Sequence, residues 1–388
     1  MATMGGYQTL LMRMSSHLID AGHSVFLVSQ GIDDRLASQF SPELNIQTSG
    51  IPFVDLYERA KFKRFYERLQ LPEIDLIFCI DLMSYAVAGF LKLTEGCERA
   101  RLILGLFQPD SVGQLRKKSA TSLLVRSILA RSGRQTSVVA MTKRLKREWH
   151  DFVSSERNMH FIPLPVDLVP FKSIDHKPKK FRIVSVGRLD DYKTYNIYMI
   201  RILKSLVEQG YDLSYDIYGE GPYREKVEAE IIDCGLESRV HLKGMLPYSE
   251  FPTALQSAYA FVGMGTAAIE AAAVGVPTVY SAPRDMTAVT HGLLHQFDLT
   301  EKGGFAAETC PPLKVENVML GLLQMTEQQY EEQSNASREA METYSIDRVM
   351  QQYMQVIDGI EVGQMGEGVS LRVLPTLISV LRRIRKFL

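Results

Sequence analysis

The stretch A-Y-A-F-V-G-M-G-T-A-A-I-E-A-A-A-V-G-V-P-T-V-Y, residues 258–280, does most to limit what this chain can fold into. Ala258 to Val262 is a short apolar run that reads as a buried strand, and Gly263, Met264 and Gly265 follow as a tight turn. Thr266 to Val274 reads as a helix of small residues closed by Gly275 at its C′ position, and Val276 to Tyr280 reads as the next strand. A strand, glycine turn, helix and strand in that order leave bare backbone N–H groups at a helix N-terminus. Those unpaired donors and the helix dipole attract phosphate. The alanines let the helix lie close to a sheet. One carboxylate, Glu270, stands just over a turn into this otherwise uncharged helix. It reads either as part of a solvated face or as a ligand contact.

A chain of 388 residues, 46% hydrophobic, is long enough for two domains with sizeable cores. Its net charge of −1 gives no global reason to expect nucleic acid as a partner. Cys79, Cys97, Cys234 and Cys310 are widely spaced, without a C-x-x-C pair or a metal-ligand cluster. They point to free buried thiols in a reducing compartment and to no metal. No apolar run of about 18 residues occurs, and the N-terminus lacks a basic start followed by an apolar core. The expected location is the cytoplasm, with a peripheral place on the inner face of the membrane as an extension of that reading.

The first half alternates as α/β sheets do. Gly5-Gly6 leads into a helix from about Tyr7 to Ala21, followed by a strand at Ser24 to Ser29. A parallel sheet usually places a strand before such a Gly-Gly turn. Only four residues precede Gly5, fewer than the average strand of about five, so the first strand is expected to be short or missing. Later strands end at Asp81 and at Gln108-Pro109-Asp110. Ligands of open α/β sheets collect outside the carboxyl ends of strands, which makes Asp81, Gln108 and Asp110 the candidates for chemistry in this half.

From Ser111 to Arg147 the chain carries ten basic residues, Arg116, Lys117, Lys118 and Arg126 among them, and no acidic one. Leu115, Leu123, Leu124, Ile128 and Leu129 interleave with these. The tail from Ser370 to Leu388 repeats the pattern, with Arg382 and Arg383 among leucines and isoleucines. Each is read in two ways: a solvated helix over a core, or a cationic amphipathic surface that meets anionic lipid or an acidic acceptor.

Lys172 to Lys180, polar and broken by Pro178, is the best linker candidate. A second α/β series then begins. Phe181 to Val186 is a strand closed by Gly187-Arg188-Leu189, and Leu213 to Tyr218 is a strand followed by Gly219-Glu220-Gly221-Pro222.

This second half resembles the retaining glycosyltransferases of family 4, which have the GT-B fold. Four blocks carry the resemblance in order: Val186-Gly187-Arg188-Leu189 with Lys193, Tyr218 to Pro222, Leu236 to Gly244, and Ile269-Glu270-Ala271 to Gly275-Val276-Pro277. Gly5-Gly6, Gly22 to Val25, and Ile162 to Leu168 extend it weakly into the first half. The resemblance implies an α/β protein with two Rossmann-like parallel-sheet domains facing a cleft. The expected division is an acceptor-side domain over 1–172, a donor domain over 173–345, a crossover helix and flexible segment over 346–369 that packs back on the first domain, and a basic tail over 370–388. It further implies transfer of a sugar from a UDP- or GDP-linked donor to a cell-envelope glycan or lipid-linked acceptor, with retention and without metal or other cofactor. Arg188 and Lys193 would hold the donor diphosphate, Glu270 its ribose, and Gly263, Gly265, Thr266, Gly6 and Met245 would complete the donor set. Arg116, Lys117, Lys118, Arg126, Arg382 and Arg383 would face membrane or acceptor.

Three departures stand beside the match. The family often has two glutamates eight positions apart, and the earlier position here is Val262. Gln108 replaces the family's histidine and cannot act as a general base. Leu164-Pro165 replaces the usual Asn-Gly before Val166-Asp167. These keep open a non-catalytic nucleotide-binding module and a sugar-nucleotide epimerase on the same scaffold. A dehydrogenase is disfavoured because no strand leads into a full G-x-G-x-x-G, and Asp190-Asp191 lacks the D-x-D spacing of the metal-dependent transferases.

Overall fold

The computed structural model describes residues 6–32, 40–108, 110–152, 158–179, 181–298 and 312–363, with the side chains of 6–8 left aside. The expected short or missing first strand and the basic tail with Arg382 and Arg383 both lie outside the described residues. The chain divides into two compact units, one formed by 1–163 together with 347–388 and the other by 164–346.

In the first unit the helix Gly6–Asp20 precedes strand β1 (Phe26–Ser29), which pairs in parallel with β2 (Asn45–Thr48). Strands β3 (Leu76–Cys79), β4 (Arg101–Leu106), β5 (Thr136–Ala140) and β6 (Met159–Phe161) form a four-stranded parallel sheet in that order. β4 and β5 are central and read as near-continuous apolar runs because both faces are covered. Helices Leu82–Leu91, Ala120–Ser132 and Lys143–Phe152 supply Tyr85, Val87, Leu124, Ile128, Leu145 and Trp149 to this core.

From Asp347 onward the helix Ile346–Asp358 belongs to the first unit. Tyr353 meets Phe78 edge-on at 5.5 Å, and Arg101 Nε donates to the Ile360 carbonyl at 3.1 Å. The anchor is Lys92, only 2% exposed, whose ammonium donates to the carbonyls of Glu98 (2.6 Å), Ala100 (2.6 Å) and Gly363 (2.9 Å). Burial pulls its pKa down to about 8, so it still carries charge at neutral pH. Lys92→Met keeps the aliphatic stem and strips three acceptors of their donor. It is expected to cost about 3 kcal/mol of unfolding free energy, measured by urea denaturation.

The second unit holds a five-stranded parallel sheet in the order β11 (Thr278–Tyr280), β10 (Ala260–Gly263), β7 (Arg182–Val186), β8 (Ser214–Tyr218), β9 (Val240–Gly244). Helices Tyr195–Glu208 and Thr266–Val274 bury Met199, Leu203, Leu206, Ile269 and Val274 against it. At the opposite end of the strands from the glycine turns, Asp216 on β8 receives Arg182 from β7 through Nε (2.9 Å) and Nη2 (2.7 Å), with both side chains nearly buried.

The proposed linker proves to be part of this unit. The amides of Lys177 and Lys179 donate to the carbonyls of Gln256 and Ser257, and the His176 ring pairs with the Ala258 carbonyl. The unit starts at Leu164, before the expected boundary, because Val166 exchanges backbone bonds with Tyr344 and Ile346, and Phe171 is fully buried in its core.

Candidate functional site

The loops at the carboxyl ends of β7, β8 and β9 are laced together. Gly187 N–H donates to the Tyr218 carbonyl (2.9 Å), Leu189 N–H to Glu220 (3.0 Å) and Gly219 N–H to Gly244 (2.7 Å). The backbones approach so closely that β-carbons on Gly219 and Gly221 would overlap the carbonyls of Gly187 and Leu189. The G-E-G-P block is therefore a buttress that holds the Gly187–Leu189 turn in place.

Beyond this turn, Asp190 directs the two basic residues. Its Oδ1 accepts the amides of Tyr192 and Lys193, each at 3.1 Å, and its Oδ2 receives Arg188 Nη2 at 2.8 Å. Asp190 is 8% exposed, whereas the Arg188 side chain is half exposed. Thus Arg188 is tethered to Asp190 while its side chain stays half exposed. Lys193 folds back so that its Nζ lies against the α-carbon of Gly187, where a β-carbon would overlap it. Desolvation lowers the Lys193 pKa, with Arg188 adding to the effect and Asp190 and Glu270 opposing it. Among the described residues, none makes a hydrogen bond or ion pair with the Lys193 ammonium.

Glu270 is 2% exposed. The reading that put it on a solvated face fails: the helix Thr266–Val274 is covered along most of its length, and Glu270 points into the protein, where the Tyr248 hydroxyl donates to its Oε1 at 2.8 Å. Its field reaches Lys193. Arg188 and Lys193 from one turn and Glu270, distant in sequence, thus form one electrostatic group at the carboxyl end of the sheet. Gly263 ends β10, and Gly265 is the N-cap of the helix without a side-chain bond, leaving Thr266 in its first turn. Met245 follows β9, is 76% exposed, and precedes by three residues the Tyr248 that holds Glu270.

Sequence reasoning missed Asp190, Tyr248 and Arg284. Asp190 was legible, since an Asp two and three residues before the amides it caps is an Asx-turn pattern. Tyr248 and Arg284 had no signal. Arg284 lies over the Tyr192 ring at 5.0 Å and 3.6 Å from Asp191, so it braces the same turn from the segment after β11.

In the first unit each of the three candidates for chemistry has a local partner. Asp81 is the N-cap of helix Leu82–Leu91, its Oδ1 accepting from Ser84 N (2.7 Å) and Ser84 Oγ (2.8 Å). Gln108 Oε1 accepts from Gln114 Nε2 at 3.2 Å. Asp110 is exposed, 3.9 Å from Lys117. The structure likewise narrows the amphipathic reading of 111–147: Leu115, Leu124 and Ile128 are completely buried in the core, and Leu123 is exposed. Arg116, Lys117 and Lys118 stand exposed beside it, and Arg126 is half-buried. Gly6 begins the first helix.

Residues 170–292 match the model of the family "Glycosyl transferases group 1". The second unit carries a glycosyl transferases group 1 domain. The matched segment of this group 1 domain contains Arg188, Lys193 and Glu270. A poly(glycerol-phosphate) alpha-glucosyltransferase of Bacillus subtilis (strain 168) is 30% identical over 129 residues, covering 32% of this chain and 19% of that protein. The matched stretches span about a quarter or less of the curated relatives' length. Among solved structures, HepE of Anabaena in complex with UDP and glucose superposes with a TM-score of 0.64 at 18% identity, over 91% of this chain and 96% of that one. Sucrose-phosphate synthase of Thermosynechococcus elongatus does so with a TM-score of 0.64 at 18% identity, over 91% and 93%. At this identity the likeness concerns the fold, and the two Rossmann-like units are of the GT-B type, as the sequence resemblance implied.

Proposed function

We propose that the chain is a glycosyltransferase that takes a sugar from a nucleotide-sugar donor and passes it to a cell-envelope glycan or lipid-linked acceptor. The observation that carries this is the juxtaposition of Arg188 and Lys193 in the group 1 domain, one half exposed and tethered to Asp190, the other partly desolvated with an ammonium unengaged among the described residues. In the free protein both are poised for an anion. A nucleoside diphosphate leaving the anomeric carbon develops negative charge, and two preorganised cations in partly dry surroundings lower its cost. The uncapped helix start at Gly265 and Thr266 offers further backbone donors. Glu270, held by Tyr248, is the acceptor for donor ribose hydroxyls. The diphosphate charge is met here by protein cations, in keeping with transfer without a metal. Retention, and a UDP- or GDP-linked donor, follow from the family resemblance, and the UDP-bound Anabaena neighbour favours UDP. The exposed Arg116, Lys117 and Lys118 suit an acceptor or membrane surface that is anionic, and the relative named for poly(glycerol-phosphate) supports an acidic acceptor.

A second reading, nucleotide binding without transfer, is favoured by one observation. Asp81 serves as a helix cap through its Oδ1, and Gln108 carries no group able to act as a base. Release of nucleoside diphosphate from a nucleotide sugar in the presence of acceptor separates the two readings.

The test of the donor site is thermal stability against UDP, GDP, ADP and CMP. At about 100 times its Kd the right nucleotide adds roughly 2.7 kcal/mol of stability. Arg188→Ala, with its own cooperative melt, is expected to show none of that gain. Equal gain in the variant would remove the site assignment.

A further inference from the structure

A buried hydroxyl stands next to Lys193. Tyr195, the first residue of the helix Tyr195–Glu208, is fully buried, and its hydroxyl makes no hydrogen bond among the described residues. The neighbouring tyrosines differ. Tyr198 donates to Ser281 Oγ at 2.9 Å, and the Tyr215 hydroxyl is within hydrogen-bond distance of Ser185 Oγ (2.9 Å) and Asn196 Oδ1 (2.8 Å). Leaving a buried hydroxyl unpaired is unfavourable, so such groups are rare and usually have a use.

The place of this hydroxyl supplies one. A β-carbon on Gly187 would stand 3.1 Å from the Tyr195 hydroxyl and would overlap the Lys193 ammonium. Both groups therefore lie against the same face of Gly187, an ammonium with three donors and a phenol oxygen with free lone pairs. We infer that Tyr195 is a positioning residue: its oxygen accepts one N–H of Lys193 when a donor diphosphate draws the ammonium off Gly187, leaving the other two aimed at phosphate. This inference rests on the assignment of Lys193 to the donor diphosphate. It goes further in giving that lysine a fixed second partner and in explaining why an aromatic hydroxyl is kept dry there. The charged and titratable groups that face Lys193 are Arg188 and Asp190 from its own turn and Glu270 from the helix Thr266–Val274, with Tyr195 beneath.

The experiment uses the full chain as wild type, Tyr195→Phe, Lys193→Ala and the double variant, titrated calorimetrically with UDP and with GDP between pH 7 and 10. Tyr195→Phe is expected to melt cooperatively at or above the wild-type temperature, because it removes an unsatisfied polar atom. It is expected to bind the nucleotide about tenfold more weakly, the worth of one hydrogen bond to a charged group. In the Lys193→Ala background the same change is expected to have no effect on affinity. An ammonium that loses an acceptor deprotonates more readily, so the fall of affinity with rising pH is expected to begin at lower pH in Tyr195→Phe. If Tyr195→Phe binds like wild type with an unmoved pH limb, while Lys193→Ala loses binding, the positioning role is wrong and the donor site stands. If the wild type binds neither UDP nor GDP, the donor-site reading falls and this inference with it.

Discussion

Lys193→Ala is expected to lower transfer from the nucleotide sugar by about 10²- to 10³-fold, the range for deleting one preorganised group at developing charge, with little change in melting temperature. The two halves of that expectation have different origins. In the free protein the ammonium is desolvated and unengaged among the described residues, so its removal breaks no bond and relieves a burial cost. On the proposed reading, the same ammonium faces a donor diphosphate whose charge grows as the sugar departs. Steady-state kinetics and a melting curve on one preparation check both halves. A large drop in melting temperature would show that Lys193 is structural, and unchanged kinetics would show that the diphosphate sits elsewhere.

Gly219→Ala is expected to destabilise the second unit by about 2–6 kcal/mol, combining an overpacking cost of about 1–3 kcal/mol with a backbone cost of similar size. The residue has φ +146°, and a β-carbon would overlap the Gly187 carbonyl, which is backbone and cannot step aside cheaply. Gly210 is the control. Its φ is +97° but nothing lies within 4 Å of its missing β-carbon, so Gly210→Ala is expected to cost only about 1–2 kcal/mol. Urea denaturation of both variants, with equal losses, would show that φ alone matters and that the close approach of the two loops does not.

The order of blocks was legible because each is a local pattern tied to a strand end. Val186 to Leu189, Tyr218 to Pro222 and the run after Ala260 all fall at carboxyl ends of strands of one sheet. What local pattern cannot carry is the partner. Glu270 is the lone charge in its helix, and nothing near it in sequence announces that a tyrosine 22 positions earlier caps its carboxylate and lets it be buried. The basic region of 111–147 stayed ambiguous for a related reason. Apolar residues at helical spacing define a face, and the spacing is the same whether the face meets lipid or a core. Leu115, Leu124 and Ile128 meet the core. Asp81 shows a third limit. Its position after a strand fits a ligand site, but three residues later stands Ser84, and the pair closes a capping box instead.

The first unit is built from two separated pieces of chain, and the second from one. On the ribosome these have unequal fates. Residues 164–346 can fold once they have emerged. The first 163 residues cannot finish, because the Gly363 carbonyl for Lys92, the Ile360 carbonyl for Arg101 and the ring of Tyr353 for Phe78 are still unmade. At about 5–20 residues per second that wait is roughly 10–40 s. Throughout it, a unit made first is completed last, with the gap left by helix Ile346–Asp358 open to whatever binds exposed apolar surface.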